Sequence, residues 1–115
     1  MHELGIMANV LDIALEYAEQ NDVKKIRAIN LEIGELSDIV PKIAQDFFGF
    51  IARDTIAENA ILKIETIPAR IRCRDCGTEN DLDMDRPIYT CIECGSKSLQ
   101  LISGREYRIA SIEVE

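Results

Sequence analysis

Cys73-Arg74-Asp75-Cys76-Gly77 and Cys91-Ile92-Glu93-Cys94-Gly95 decide how the rest of the chain is read. Each stretch is a C-x-x-C pair closed by glycine, and fourteen residues, 77–90, separate the pairs. In such a knuckle the chain turns tightly and points backbone N–H groups at sulfur, and glycine tolerates the left-handed backbone this requires. Two knuckles bring four thiolates into a tetrahedron, a geometry that Zn2+ accepts. The spacing therefore predicts a zinc ribbon with Cys73, Cys76, Cys91 and Cys94 as ligands. With all four positions taken by protein atoms there is no place for a catalytic water, so the zinc is expected to be structural.

Two disulfides, a redox-active pair and an iron site are the other readings of four cysteines. A thioredoxin-type pair opens a helix, whereas here both pairs close on glycine. A rubredoxin-like iron site packs aromatics around the sulfurs, and only Tyr89 lies between these knuckles. The apolar side chains of residues 70–104 are few, chiefly Leu82, Met84, Ile88, Tyr89, Ile92, Leu99, Leu101 and Ile102. Folding of that segment is expected to be coupled to metal binding.

Outside the cysteine module the pattern changes to helix and strand. Residues 4–20 read as a helix with Leu4, Met7, Leu11, Ala14 and Ala18 on one stripe, widened by Ile6, Val10, Ile13 and Tyr17. Residues 26–33 alternate and are rich in β-branched side chains, a strand closed by Gly34. Ser37 or Asp38 is expected to cap a second helix with Pro41 in its first turn and a stripe of Val40, Ile43, Ala44, Phe47, Phe48 and Ile51. Residues 60–67 form a second strand stopped by Pro68, and residues 105–115 a last strand opened by Gly104. The expected fold is thus α/β: two helices against a three-stranded sheet, with an inserted four-cysteine zinc-ribbon sub-domain. Residues 1–69 plus 105–115 make the α/β domain and residues 70–104 the zinc-binding domain.

The chain has 115 residues and a net charge of -8, from 13 Lys and Arg against 21 Asp and Glu. A protein this short buries roughly 60–70% of the surface its unfolded chain exposes, so a metal crosslink matters in proportion. Phosphate neutralisation needs a basic face, and the one tight basic group, Arg70, Arg72 and Arg74, is followed by Asp75 and Glu79. No nucleic-acid partner is expected. No apolar run reaches the roughly 18 to 20 residues of a membrane span, and the start has neither a basic nor an apolar leader region. The expected location is the cytoplasm, where cysteines serve as metal ligands more often than as disulfides.

His2 is the only histidine, and it lies beside the amino terminus. A large second residue is expected to keep Met1 in place. The α-amine, a backbone amide nitrogen and the imidazole can then close fused chelate rings, a planar nitrogen set that suits Ni2+ or Cu2+. Glu3 can add a carboxylate or its own amide nitrogen. From composition alone, the same residues read more often as a disordered start carrying an incidental histidine.

The chain resembles the HypA family of hydrogenase nickel-incorporation proteins and its close relative HybF. The likeness is carried by Met1-His2-Glu3-Leu4, by Ile33-Gly34-Glu35-Leu36-Ser37, by the two cysteine pairs, and by Gly104-x-Glu106 followed by Ile109 and Ile112-Glu113-Val114. It spans the whole length. The resemblance implies a nickel metallochaperone that binds Ni(II) at Met1, His2 and Glu3 and delivers it during maturation of [NiFe]-hydrogenase, and in some organisms of urease. It implies a structural Zn2+ on the four cysteines, and as partners a HypB-type GTPase and the hydrogenase large-subunit precursor. Some members carry histidines beside the knuckle cysteines, and this sequence has none there, which leaves a pH-sensing role of such histidines without a carrier. The chain is expected to be a monomer or a dimer.

No nucleophile–base pair is visible, and with His2 given to metal no histidine is left for general base work, so the reading is of a carrier and not an enzyme. The runner-up is a zinc-ribbon module for protein interaction or nucleic-acid binding, which the acidic charge disfavours.

Overall fold

A computed structural model describes residues 3–115. The chain divides into two units. The first comprises residues up to Glu32, Asp38–Glu65 and Tyr107–Glu115, and the second Ile33–Ser37 and Thr66–Glu106.

In the first unit, helix α1 (Glu3–Gln20) leads into strand β1 (Ile26–Gly34), helix α2 (Pro41–Ile51) and strand β2 (Ile61–Ile67), and strand β6 (Tyr107–Val114) closes the chain. The sheet order is β2-β1-β6, and α1 and α2 pack on each other. Two helices with a three-stranded sheet are the expected α/β architecture. The core is made by Met7, Val10, Leu11, Ala14 and Ala18 of α1, Ile26, Ala28, Ile29 and Leu31 of β1, Ala44 and Phe48 of α2, and Leu62 of β2, all buried.

Three details differ from the sequence reading. Leu4 is 49% exposed and Tyr17 44%, so α1 buries a narrower stripe than expected. Counting back one helical turn from Met7 arrives at Glu3, and it is Glu3 that opens the buried face, at 3% exposure. Second, neither Ser37 nor Asp38 caps α2. The N-cap is Val40, with no side-chain cap, and Pro41 begins the helix. Ser37 is used in a turn, its amide donating to the Gly34 carbonyl at 3.0 Å, and Asp38 takes a left-handed φ of 61°. Of the expected α2 stripe only Ala44 and Phe48, one turn apart, are buried; Val40 and Ile43 face water. Third, Ile26, Ala28 and Ile29 are all buried at the start of β1, the central strand of its sheet, so the expected alternation is not clean there.

The polar side of the sheet is tied by charge. Lys63 of β2 donates to Glu113 of β6 at 2.8 Å, and Asn30 of β1 donates to the same carboxylate at 3.1 Å. Arg108 of β6 pairs with Glu32 of β1.

The second unit holds strands β3 (Arg70–Cys73), β4 (Glu79–Asp81) and β5 (Leu99–Ser103) in the order β4-β3-β5, both pairings antiparallel. Arg70 and Arg72 of β3 face Asp81 and Glu79 of β4, with closest approaches of 2.6 Å and 3.1 Å. Two of the three arginines of the sequence's basic cluster are therefore paired with acidic neighbours on the adjacent strand. The segment Ile33–Ser37 is bound into this unit by backbone bonds: Gly34 N–H to the Glu106 carbonyl at 2.8 Å, Glu35 N–H to Ile67 at 2.9 Å, and Leu36 N–H to Gly104 at 2.7 Å. The Glu35 carboxylate returns the contact by accepting from the Ala69 N–H at 2.7 Å. The buried apolar side chains here are few: Ile33, Ala69, Ile71 and two of the cysteines.

Candidate metal centre

The two knuckles are built alike. Cys73 N–H donates to the Thr78 carbonyl and Gly77 N–H to the Cys73 carbonyl, both at 2.9 Å. In the second knuckle Cys91 N–H donates to Ser96 at 2.8 Å and Gly95 N–H to Cys91 at 2.9 Å. Gly77 and Gly95 take φ values of +79° and +73°, the left-handed backbone expected of the residue that closes each pair. The N–H groups of Glu93 and Cys94 point at the Cys91 sulfur, at 3.4 Å and 3.5 Å. Strand β3 delivers Cys73 directly from its last residue, which is why the first ligand is buried at 2% exposure.

These turns converge. The ligand atoms of Cys73, Cys76, Cys91 and Cys94 all lie within 4.8 Å of one another, and all four cysteines are free. The Cys73 and Cys94 sulfurs stand 3.6 Å apart, and those of Cys76 and Cys91 3.5 Å. A disulfide would bring a pair to about 2.05 Å. Zinc at about 2.3 Å from each of four sulfurs spaces them about 3.8 Å apart. The separations match the edges of a metal tetrahedron, and the donor set fits structural zinc.

Electrostatics favour the same occupant. The Thr78 hydroxyl, 3.1 Å from its sulfur, and the Thr78 amide pull the Cys76 thiol down to about 6. The Cys76 amide lowers Cys73 as well. Cys94 is drawn down by the Ser96 amide, but its contact with Cys73, its partial burial and the other two sulfurs outweigh this and push it up to about 12. Four thiolates this close cannot all ionise unaided, and a dication removes that obstacle. A cross-link the sequence did not advertise helps hold the halves in register: the Ser96 hydroxyl of the second knuckle donates to the Asp75 carboxylate of the first. Thr78 is likewise a residue the motif reading passed over. Its place directly after the closing glycine is the signal that could have found it.

Of the expected nickel residues, Met1 and His2 lie outside the described residues. Glu3 is described. It begins α1, is buried, and its Oε2 accepts from the Val40 N–H at 3.1 Å. Among the described residues, the four cysteines are the group of His, Cys, Asp or Glu side chains gathered closely enough to hold a metal ion.

Residues 1–114 match the family model described as HypA, hydrogenase/urease nickel incorporation, metallochaperone. The chain belongs to the HypA family. A HypA hydrogenase maturation factor of Nostoc sp. is 43% identical over 115 residues, covering all of this chain and 96% of the relative. The HypA of Moorella thermoacetica is 36% identical over the full length of both. The solution structure of the nickel metallochaperone HypA from Helicobacter pylori superposes with a TM-score of 0.72 at 26% identity, covering 99% of this chain and 97% of that one. A second HypA solution structure gives 0.78 at 26% identity, with 100% and 97% covered. The HypA role is nickel incorporation, which is carriage of a metal and not catalysis. Among the described residues, no helix is long and apolar enough to cross a membrane.

Proposed function

We propose that this protein is a nickel metallochaperone that captures Ni(II) at its amino terminus and delivers it during maturation of [NiFe]-hydrogenase, and of urease where one is present. One observation carries the reading: a chain that belongs to the HypA family over its whole length opens Met1-His2-Glu3, with its sole histidine second. The α-amine of Met1, the His2 imidazole and backbone amide nitrogens up to Glu3 make a planar nitrogen set that holds Ni2+ firmly. A terminal chelate can also be unseated, by protonation or by a competing ligand on a partner, which a carrier requires.

Zinc belongs to the other unit. Cys73, Cys76, Cys91 and Cys94 hold it, and when bound it supplies a crosslink in place of a hydrophobic core. On this reading the first unit is the nickel-binding domain and the second the zinc-binding domain. The partners are a HypB-type GTPase and the hydrogenase large-subunit precursor, met in the cytoplasm. Neither nucleic acid nor membrane is a partner, and the protein works as a monomer or a dimer.

The test is genetic and chemical together. In a host lacking its own homologue, this chain should restore nickel content and activity to a [NiFe]-hydrogenase, and its His2→Ala variant should not. Restoration by both forms would remove the amino terminus from the delivery step.

A further inference from the structure

Asp75 and Ser96 belong to different knuckles and meet beside the cluster of sulfurs. The Ser96 hydroxyl donates to Oδ2 of Asp75. The same hydroxyl oxygen accepts from the Ser98 N–H at 3.0 Å. The Ser98 carbonyl in turn accepts from the N–H of Arg74, the residue before Asp75, at 2.9 Å. These three bonds close a loop between residues 74–75 of the first knuckle and 96–98 of the second. The loop runs on into the sheet, where Cys73 of β3 pairs with Leu99 of β5.

The place of this loop matters because the other knuckle bonds are local. Those from Cys73 to Thr78, Gly77 to Cys73, Cys91 to Ser96 and Gly95 to Cys91 each stay within one turn. They hold the two sulfurs of a pair but leave the angle between the pairs open. That angle decides which metal four thiolates suit. With the two sulfur–sulfur lines crossed at about a right angle the set is tetrahedral, and Zn2+ accepts it. With the lines parallel in one plane the set is the planar one that suits Ni2+. Passing from one to the other twists one knuckle against its partner by about a quarter turn. Raw affinity does not protect a zinc site from nickel, so selectivity falls to geometry and donor type. A HypA chain, whose role is nickel incorporation, meets that problem directly.

We propose that the Asp75–Ser96 bond is a selectivity brace: it fixes the angle between the two knuckles, holds the four cysteines in a tetrahedron, and so keeps nickel off the zinc site. Asp75 and Ser96 are positioning residues, because the gathered ligand atoms are the four sulfurs. Partners of this outer kind orient the ligands and tune what they hold. The inference rests on reading the four cysteines as a zinc site in a nickel carrier, and it is independent of where the carried nickel is bound. Asp75 is exposed and Ser96 half-buried, so water competes for the bond. Its loss should shift the selectivity by a modest factor and not abolish it.

The test uses zinc-loaded protein of full length, kept reduced and equilibrated with Zn2+ and Ni2+ together at set ratios. Two quantities are read: the zinc retained, and the thiolate-to-nickel charge-transfer absorption, which reports nickel on cysteine and is blind to nickel held by nitrogen donors. Wild type should keep its zinc. Asp75→Ala and Ser96→Ala should each move the zinc-to-nickel ratio on the cysteines about fivefold toward nickel, the worth of one such hydrogen bond. Ser96→Thr keeps the hydroxyl and should match wild type. The double variant Asp75→Ala/Ser96→Ala should go no further than Ser96→Ala alone, because both changes remove the same bond. A contact that only stabilises the module would weaken both metals alike and leave the ratio unchanged, and that result would overturn the brace. So would a wild type whose cysteines take up nickel as readily as the variants do. Ser96→Ala also strips the Ser98 N–H of its acceptor. Should it fail to fold, Asp75→Ala decides against Asp75→Asn, which keeps an acceptor oxygen: the same ratio in both would overturn the brace. A wild type that held no zinc would overturn the zinc reading first, and this inference with it.

Discussion

Gly34 lies so close to Gly104 that a Cβ on Gly34 would stand 2.2 Å from both the carbonyl carbon and the carbonyl oxygen of Gly104. The nitrogen of Arg105 would be 2.7 Å away. Gly104 in turn has a φ of +116°, and a Cβ there would meet the Cα of Ala69 at 2.7 Å. The obstructing atoms are backbone, together with the rigid Ala69 Cβ at 3.0 Å from the Gly104 position, so no flexible side chain can yield. The Ile33–Ser37 segment is thus laid against 66–69 and 104–106 at a spacing that only glycine allows, and the hydrogen bonds among these segments depend on that approach.

Gly34→Ala and Gly104→Ala are therefore expected to destabilise the cysteine unit by about 2–3 kcal/mol each, the usual cost of overpacking or of a forced backbone. Gly49→Ala provides the contrast. Gly49 lies inside α2 with nothing within 4 Å of its would-be Cβ, so alanine there should stabilise by about 0.5–1 kcal/mol. Thermal unfolding of the zinc-loaded proteins measures both. Gly34→Ala melting at the wild-type temperature would show that the close approach is not maintained in solution.

Replacing Cys73 or Cys91 by serine should release the metal and unfold the second unit while the first stays folded. The buried apolar side chains of the second unit are Ile33, Ala69, Ile71 and two of the ligands themselves. The first unit buries more than a helix stripe and most of a strand without any metal. Metal binding contributes about 10–16 kcal/mol in small zinc modules, far beyond what those few side chains supply. Amide exchange should become fast across residues 70–104 and stay slow in α1 and β1. Slow exchange throughout after metal loss would contradict this.

Much of this was legible in the sequence, and the failures have physical causes. The α1 helix, the β1 run and the knuckles each depend on spacings of a few residues, and all three elements formed where periodicity and glycine placement put them, although Leu4 and Tyr17 of the expected α1 face are exposed. The three short strands β3, β4 and β5 carry too few residues for a period to show. The α2 cap was misread because Ser37 and Asp38 have the right chemistry, but Ser37 lies in a turn on the Gly34 carbonyl and the helix begins only at Pro41, with Val40 in the cap position. The true acceptor, Glu3, sits 37 positions away. No local pattern can announce a bond across that distance, nor the Asp75–Ser96 link between knuckles.

The carboxylate of Glu113 gives a pH-dependent test of the sheet. Its contacts with Lys63 and Asn30, and the Lys63 charge, hold it below the ordinary glutamate range. A carboxylate lowered by folding adds stability that is full above the unfolded value, about 4.3, and is lost as pH falls through the lower folded value. Glu113→Gln should thus be modestly less stable than wild type at neutral pH, and the difference should close in that acid window. Amide exchange in β6 is the proper readout, because β6 is the strand that carries Glu113. A gap between the two proteins that persisted in strong acid would mean that Glu113 acts through packing and not through its charge.

Nickel titration by calorimetry bears most directly on the whole account. Untagged wild type should bind one tight Ni2+ beyond its zinc. His2→Ala should lose that binding with zinc content and thermal stability unchanged, because His2 is the sole imidazole and the zinc ligands come much later in the chain. Extra residues before Met1 should have the same effect by moving the α-amine out of reach. Tight nickel binding that survived in His2→Ala, or in a protein extended at its amino terminus, would contradict the account and move the nickel site elsewhere, to the cysteines first.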